Sequence, residues 1–160
     1  MSLKIKLLDI KDEDFVNYKK ASMYIAFPHC SFKCGCDLCQ NYALSKQTPV
    51  EISMDAIVDR YVNNPITEAI VFAGLEPFND EVDLINLISS FRKKTDDDIV
   101  IYTGFNKEEI KNYIDCFINI LGFKNIIIKY GRYIPNQTPH KDEVLGVNLA
   151  SDNQYAERIC

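Results

Sequence analysis

Residues 69–77 read Ala69-Ile70-Val71-Phe72-Ala73-Gly74-Leu75-Glu76-Pro77. The first five are apolar without interruption, the mark of a strand covered on both faces. A glycine and a proline then end it abruptly. The same grammar recurs on either side. Ser22 to Phe27 reads as a strand stopped by Pro28, Ile99 to Tyr102 as another, and Ile126 to Lys129 as a fourth. Val144 to Leu149 offers a further candidate strand.

Helical signals fill the intervals. Ser53 is a suitable N-cap for a helix running to about Val62. Asp80 can cap a helix whose Val82, Ile85, Ile88 and Phe91 recur every three residues, with Leu84 and Leu87 beside them. Asn106 and Glu109 form a capping box ahead of Ile110, Tyr113, Ile114, Phe117, Ile118 and Leu121, and Gly122 stands where a helix terminates. Strands alternating with helices predict a parallel sheet built from βαβ units. Ligands of such sheets sit at the carboxyl ends of the strands. Those ends carry a cysteine loop, Gly74-Leu75-Glu76-Pro77, Thr103-Gly104 and Lys129. With no repeat, low-complexity stretch or Pro/Gly-rich linker, residues 1–160 are read as one domain.

Composition narrows the function classes. The chain is 47% hydrophobic and 26% charged, with a formal charge of −5. The acidic balance argues against nucleic acid as the main partner. The one dense basic run, Arg92-Lys93-Lys94, is followed by Asp96, Asp97 and Asp98, and reads as a solvated helix end. No apolar run approaches the about 20 residues that span a bilayer, and Met1 to Ile10 is too short and mixed for a secretory signal. A cytoplasmic location is therefore expected, with no membrane partner and with reduced thiols.

Against that background the cysteines stand out. Cys30, Cys34, Cys36 and Cys39 fall within ten residues. Thiolates favour zinc or iron–sulfur clusters. A four-cysteine zinc site, in a binding module without catalysis, is one reading, although such sites usually draw two pairs from separate segments. A cubane 4Fe–4S cluster held by three thiolates is the other. It leaves one iron open to the amino and carboxylate groups of a small molecule. Cys116 lies on the apolar side of a helix and reads as core, and nothing assigns Cys160 a role. His29 and His140 are the two histidines. His29 borders the loop and reads as a hydrogen-bonded loop residue.

The loop resembles the cysteine motif of the radical S-adenosylmethionine superfamily, in which three cysteines are separated by three and then two residues. Cys30 and Cys34 reproduce the first interval, whereas the second recurs between Cys36 and Cys39. The resemblance implies Cys30, Cys34 and Cys39 as ligands, with Cys36 as the alternate to Cys34. Gln40-Asn41 after Cys39 is similar to the activating-enzyme branch, and Asn41 is a cofactor-binding candidate on that ground. Gly74-Leu75-Glu76-Pro77 stands where the superfamily carries Gly-Gly-Glu-Pro, whose backbone carbonyls receive the methionyl ammonium; Leu75 departs from the pattern. Tyr102-Thr103-Gly104-Phe105 and Ser151-Asp152-Asn153-Gln154 are similar to segments of the activases of anaerobic ribonucleotide reductase.

The resemblance runs from about Ile25 to Gln154. It implies a short, open partial (β/α) barrel with a mainly parallel sheet. It implies a 4Fe–4S cluster and S-adenosylmethionine as cofactors, with Gly74, Leu75, Glu76 and Pro77 at the methionyl end and Thr103 near the nucleoside. Lys129 would meet the ligand carboxylate, and Asn148 or Asn153 would reach the site. The implied activity is reductive cleavage of S-adenosylmethionine and removal of a glycine hydrogen in a partner, with no catalytic side chain beyond cluster and cofactor. Anaerobic ribonucleotide reductase is the implied partner, because one cysteine cluster is present rather than two. Flavodoxin or ferredoxin is the implied electron donor. A radical enzyme acting on a small metabolite or peptide is the alternative.

Overall fold

The computed structural model describes residues 3–30 and 43–160. Among the described residues ten strands are formed: β1 Lys4–Leu7, β2 Asp9–Asp14, β3 Ser22–Phe27, β4 Val50–Ser53, β5 Ala69–Gly74, β6 Asp98–Tyr102, β7 Ile126–Tyr130, β8 His140–Asp142, β9 Val147–Leu149 and β10 Tyr155–Arg158. The helices are α1 Met54–Val62, α2 Glu81–Arg92 and α3 Lys111–Asp115.

Six strands make the central sheet in the order β10-β7-β6-β5-β3-β2. β3, β5, β6 and β7 run parallel, in the register Tyr24↔Val71, Phe72↔Ile101 and Tyr102↔Lys129. β2 and β10 close the two edges antiparallel. β1 pairs with β4, and β8 with β9, as two small antiparallel ribbons. Among the described residues no helix is long and apolar enough to cross a membrane.

The period-2 alternation of the strands divides the core in two. Met23, Ile25, Phe27, Ile70, Phe72, Ile99, Ile101, Ile126 and Ile128 face one way and pack on the helices. Val71, Ala73, Val100, Ile127 and Ala156 face the other way. That second face has no helix on it among the described residues. Tyr18 and, from the β8–β9 ribbon, Leu145 and Leu149 cover its lower half. The upper half, at the carboxyl ends of the parallel strands, remains open as a cleft.

The helix signals are met with local differences. Ser53 accepts a hydrogen bond from Ala56 N and starts α1. Asp80 starts α2 without a side-chain capping bond, because its carboxylate turns to His29 instead. α2 buries Leu84, Leu87, Ile88 and Phe91, leaving Val82 65% exposed. The buried stripe thus follows the i, i+3, i+4, i+7 spacing rather than a strict three-residue repeat. Asn106 and Glu109 exchange the two bonds of a capping box. α3 then widens into a π-helical turn over Cys116–Ile120, and Gly122 at φ +62° ends it.

Two expectations need correction. Val144 to Leu149 is not one strand: residues 143–146 turn between β8 and β9, with Gly146 N bonded to Asp142 O. Nor is the charged run solvated throughout. Arg92 donates to the carbonyls of Lys124, Thr95 and Asn125, which anchors the end of α2 to the start of β7. Asp98 is buried and accepts from Tyr18, Lys20 and Arg158. Burial works against its charge, but these donors outweigh burial and hold it at about 2.

Candidate functional site

The cleft is built where β3 and β5 end side by side. Gly74 has φ +87°, and a Cβ there would lie 2.5 Å from Phe27 N. Only glycine lets the two backbones approach this closely. Leu75 N then donates to Phe27 O at 3.0 Å, and Glu76 N to His29 O at 2.8 Å. The Gly74-Leu75-Glu76 turn is in this way stitched to the three residues that lead into Cys30. Cys30 is half-buried and lines the cleft with Gly74, Leu75 and Glu76. Beside it, His29 Nδ1 lies 2.7 Å from Asp80 Oδ1, so the histidine ties the cysteine segment to the start of α2.

Glu76 occupies the centre of the strand ends. Its Oε1 accepts from Thr103 Oγ1 at 2.7 Å and from Gly104 N at 2.8 Å, and its Oε2 from Phe78 N at 3.2 Å. The side chain is buried, and burial raises its pKa against the lowering effect of these donors and of Lys129. Glu76 therefore joins β5 to β6 and shapes the cleft from beneath. Thr103 is also buried: its hydroxyl serves Glu76 and accepts from Phe105 N. Pro77 is buried at the start of the following 3-10 turn.

Lys129 reaches the cleft from the neighbouring strand. Its ammonium donates to Gly131 O at 3.1 Å and stands 5.5 Å from the Tyr102 ring centroid. Burial depresses its pKa to about 8, with Glu76 acting in the opposite direction. An ammonium so held, in a cleft of about 290 Å³, is suited to an anionic group of a ligand. Tyr24 and Tyr102 line the cleft as well, and burial raises both phenols.

The closing segment that contains Asn153 and Gln154 secures the loop after β7. Gln154 Nε2 donates to Gly131 O, while its Oε1 receives Ala150 N and Ser151 N. Asn153 Nδ2 donates to Arg132 O. Gln154 lines the cleft and Asn153 an adjoining groove, whereas Asn148 is exposed on β9 and lines neither. Cys34, Cys36, Cys39 and Asn41 lie outside the described residues.

Several cleft residues escaped the sequence reading. Lys11, Asp14, Asn17 and Tyr24 line it from β2, β3 and the connection between them. Asp14 carried a signal, since an aspartate three residues before an asparagine marks a turn. Tyr24 sits inside an apolar strand, where its polar tip is the only sign of a lined cavity.

The donor chemistry fits an iron–sulfur centre: Cys30 opens the four-cysteine run and stands at the cleft mouth, beside the main-chain turn at Gly74. Comparison with known proteins agrees. The model of the 4Fe-4S single cluster domain family matches residues 19–154. No curated protein and no solved structure matches the chain. The match begins just ahead of β3 and ends at Gln154, enclosing the cysteine run and every strand of the parallel sheet, and the chain belongs to the 4Fe-4S single cluster domain family.

Proposed function

We propose that this chain is a radical S-adenosylmethionine enzyme, and that it activates a glycyl-radical partner, anaerobic ribonucleotide reductase. On this reading the fold is a short, open part of the superfamily's barrel. The supporting observation is a juxtaposition: Cys30, the Gly74-Leu75-Glu76 turn and the Lys129 ammonium line one cleft at the carboxyl ends of the parallel strands β3, β5 and β7.

Cys30, Cys34 and Cys39 would hold the cluster, with Cys36 as the alternate to Cys34. Such a cluster, with S-adenosylmethionine bound, would supply the one-electron reduction and the hydrogen abstraction from a glycine of the partner. The chain's own part is placement. The carbonyls near Gly74 are positioned by the two bonds to Phe27 and His29. Lys129 offers its ammonium to the ligand carboxylate. The Glu76–Thr103 bond keeps the ends of β5 and β6 in register. The half-buried Tyr24 and Tyr102 and the buried Ala73 restrict water in the cleft.

The test is anaerobic reconstitution with iron and sulfide, then reduction and assay for 5′-deoxyadenosine in the presence of S-adenosylmethionine. About four irons per chain with deoxyadenosine formation is the expected result. An intact cluster without cleavage would remove the cofactor assignment. Tightly bound zinc without a cluster would favour the structural module. Cleavage without radical transfer to the reductase would move the substrate to a small metabolite or peptide.

A further inference from the structure

His29 holds one short turn at both of its ends. Its main-chain oxygen accepts from Glu76 N at 2.8 Å, just ahead of the 3-10 turn Pro77–Asp80. Its Nδ1 lies 2.7 Å from Asp80 Oδ1, on the last residue of that turn. The turn itself is stiff. Pro77 opens it, Glu76 Oε2 accepts from Phe78 N, and Phe78 is buried. A residue fixed at two separate points leaves its chain neighbour little freedom. That neighbour is Cys30, at the mouth of the cleft.

Asp80 is an unexpected residue for its place. It stands at the start of α2 yet makes no side-chain capping bond. Its side chain is only 15% exposed, and Oδ2 is buried without a hydrogen-bond partner among the described residues. An orphaned carboxylate oxygen is costly and calls for a reason. Capping the helix is not that reason. Its charge is felt around it: burial raises the pKa of Asp83 and Asp80 raises it further, against the lowering effect of His29. Asp80 thus keeps a poorly solvated negative charge, hydrogen-bonded through His29 to the segment that carries Cys30.

Resting on Cys30 as a cluster ligand in the reading above, we propose that His29 and Asp80 are positioning residues for the iron–sulfur centre: the pair holds Cys30 at the cleft, and the Asp80 carboxylate holds the cluster's reduction potential down. Reduction adds one electron, and therefore one negative charge, to such a cluster. A fixed carboxylate with one oxygen out of water opposes that added charge. Hydrogen-bonded groups behind a metal ligand also govern how firmly it holds the metal.

The test uses the full chain reconstituted with iron and sulfide, as the wild type and as Asp80→Asn, His29→Ala and His29→Asn. Redox titration with dithionite at about pH 8.5, followed by the electron paramagnetic resonance of the reduced cluster, reads the potential. Loss of visible absorbance to an iron chelator reads retention. Asp80→Asn keeps an acceptor oxygen for His29 and removes the charge. It should hold the iron of the wild type, with the reduction equilibrium moved about tenfold toward the reduced cluster, about 59 mV upward for one electron. Asp96→Asn removes the same charge from an exposed side chain at the opposite end of the sheet, and should match the wild type. His29→Ala should lose its cluster on the order of tenfold faster, and His29→Asn, which returns a donor near the place of Nδ1, should restore retention. A potential unmoved by Asp80→Asn, or moved equally by Asp96→Asn, overturns the proposal. So does wild-type retention in His29→Ala, a loss that His29→Asn does not repair, or a cluster that survives Cys30→Ala. Deoxyadenosine formation by the wild type separates the two readings. Its presence beside unmoved variants overturns the role of the pair alone. Its absence beside the expected shifts overturns the proposed function and supports the pair.

Discussion

Thr103 Oγ1 donates to Glu76 Oε1 across 2.7 Å, joining the end of β6 to the end of β5. The same oxygen receives Gly104 N, and its twin receives Phe78 N. Glu76→Ala leaves these buried donors without an acceptor, at a cost of about 1–3 kcal/mol. Denaturant unfolding should show that loss. Iron content after reconstitution should be unchanged, and S-adenosylmethionine affinity should fall, because the carboxylate organises the cleft and touches no cysteine. Wild-type affinity in the variant would separate Glu76 from the ligand site altogether.

Asp98 provides a second, independent test at the opposite end of β6. Its folded pKa lies at about 2, below its ordinary 3.8. A depressed carboxylate adds stability above its unfolded pKa and loses it as pH falls through the folded one. The acid limb between about pH 4 and 2 should therefore carry this contribution. Asp98→Asn should lower stability at neutral pH by about 1–3 kcal/mol and flatten that limb in urea titrations. An unaltered acid limb would show that Tyr18, Lys20 and Arg158 contribute nothing through Asp98.

The four parallel strands were legible because Ser22–Phe27, Ala69–Gly74, Asp98–Tyr102 and Ile126–Tyr130 are buried on both faces and therefore almost unbroken in apolarity. The edges were not. β2, Asp-Ile-Lys-Asp-Glu-Asp, is a strand only because β3 supplies its hydrogen bonds, and its composition opposes the assignment. β10 likewise depends on β7. The strand-end residues Gly74, Glu76 and Lys129 were readable from their position after apolar runs. The cleft's second wall was hidden, because Asp14, Asn17 and Tyr24 come together through the antiparallel return of β2. Glu76 was read as a ligand contact; its three donors are visible only in three dimensions.

The cluster ligands can be resolved by two substitutions. Cys30 stands at the cleft, and on the proposed reading the other ligands are Cys34 and Cys39, with Cys36 as the alternate to Cys34. Cys36→Ala should retain iron and the visible absorbance of the cluster, whereas Cys34→Ala should lose both. The reverse pattern would place Cys36 in the ligand set and Cys34 outside it.

On the proposed reading, Lys129 makes the site's ligand affinity depend on pH. Its folded pKa is depressed by burial to about 8 from an ordinary 10.5. Between these values the unfolded chain holds a proton that the folded chain has released, so stability rises with pH across that window. Binding of an anion has the opposite sign. The attracting form is the ammonium, and its population falls above pH about 8. S-adenosylmethionine affinity of the cluster-loaded chain should therefore decline above that point, by up to about tenfold per pH unit. Lys129→Met should bind weakly at every pH and lose the alkaline rise in stability. Equilibrium binding from pH 7 to 9.5, with denaturant melts in the same buffers, checks both signs. A flat wild-type binding profile would release Lys129 from the carboxylate and leave it as an ammonium held by Gly131 O and the Tyr102 ring.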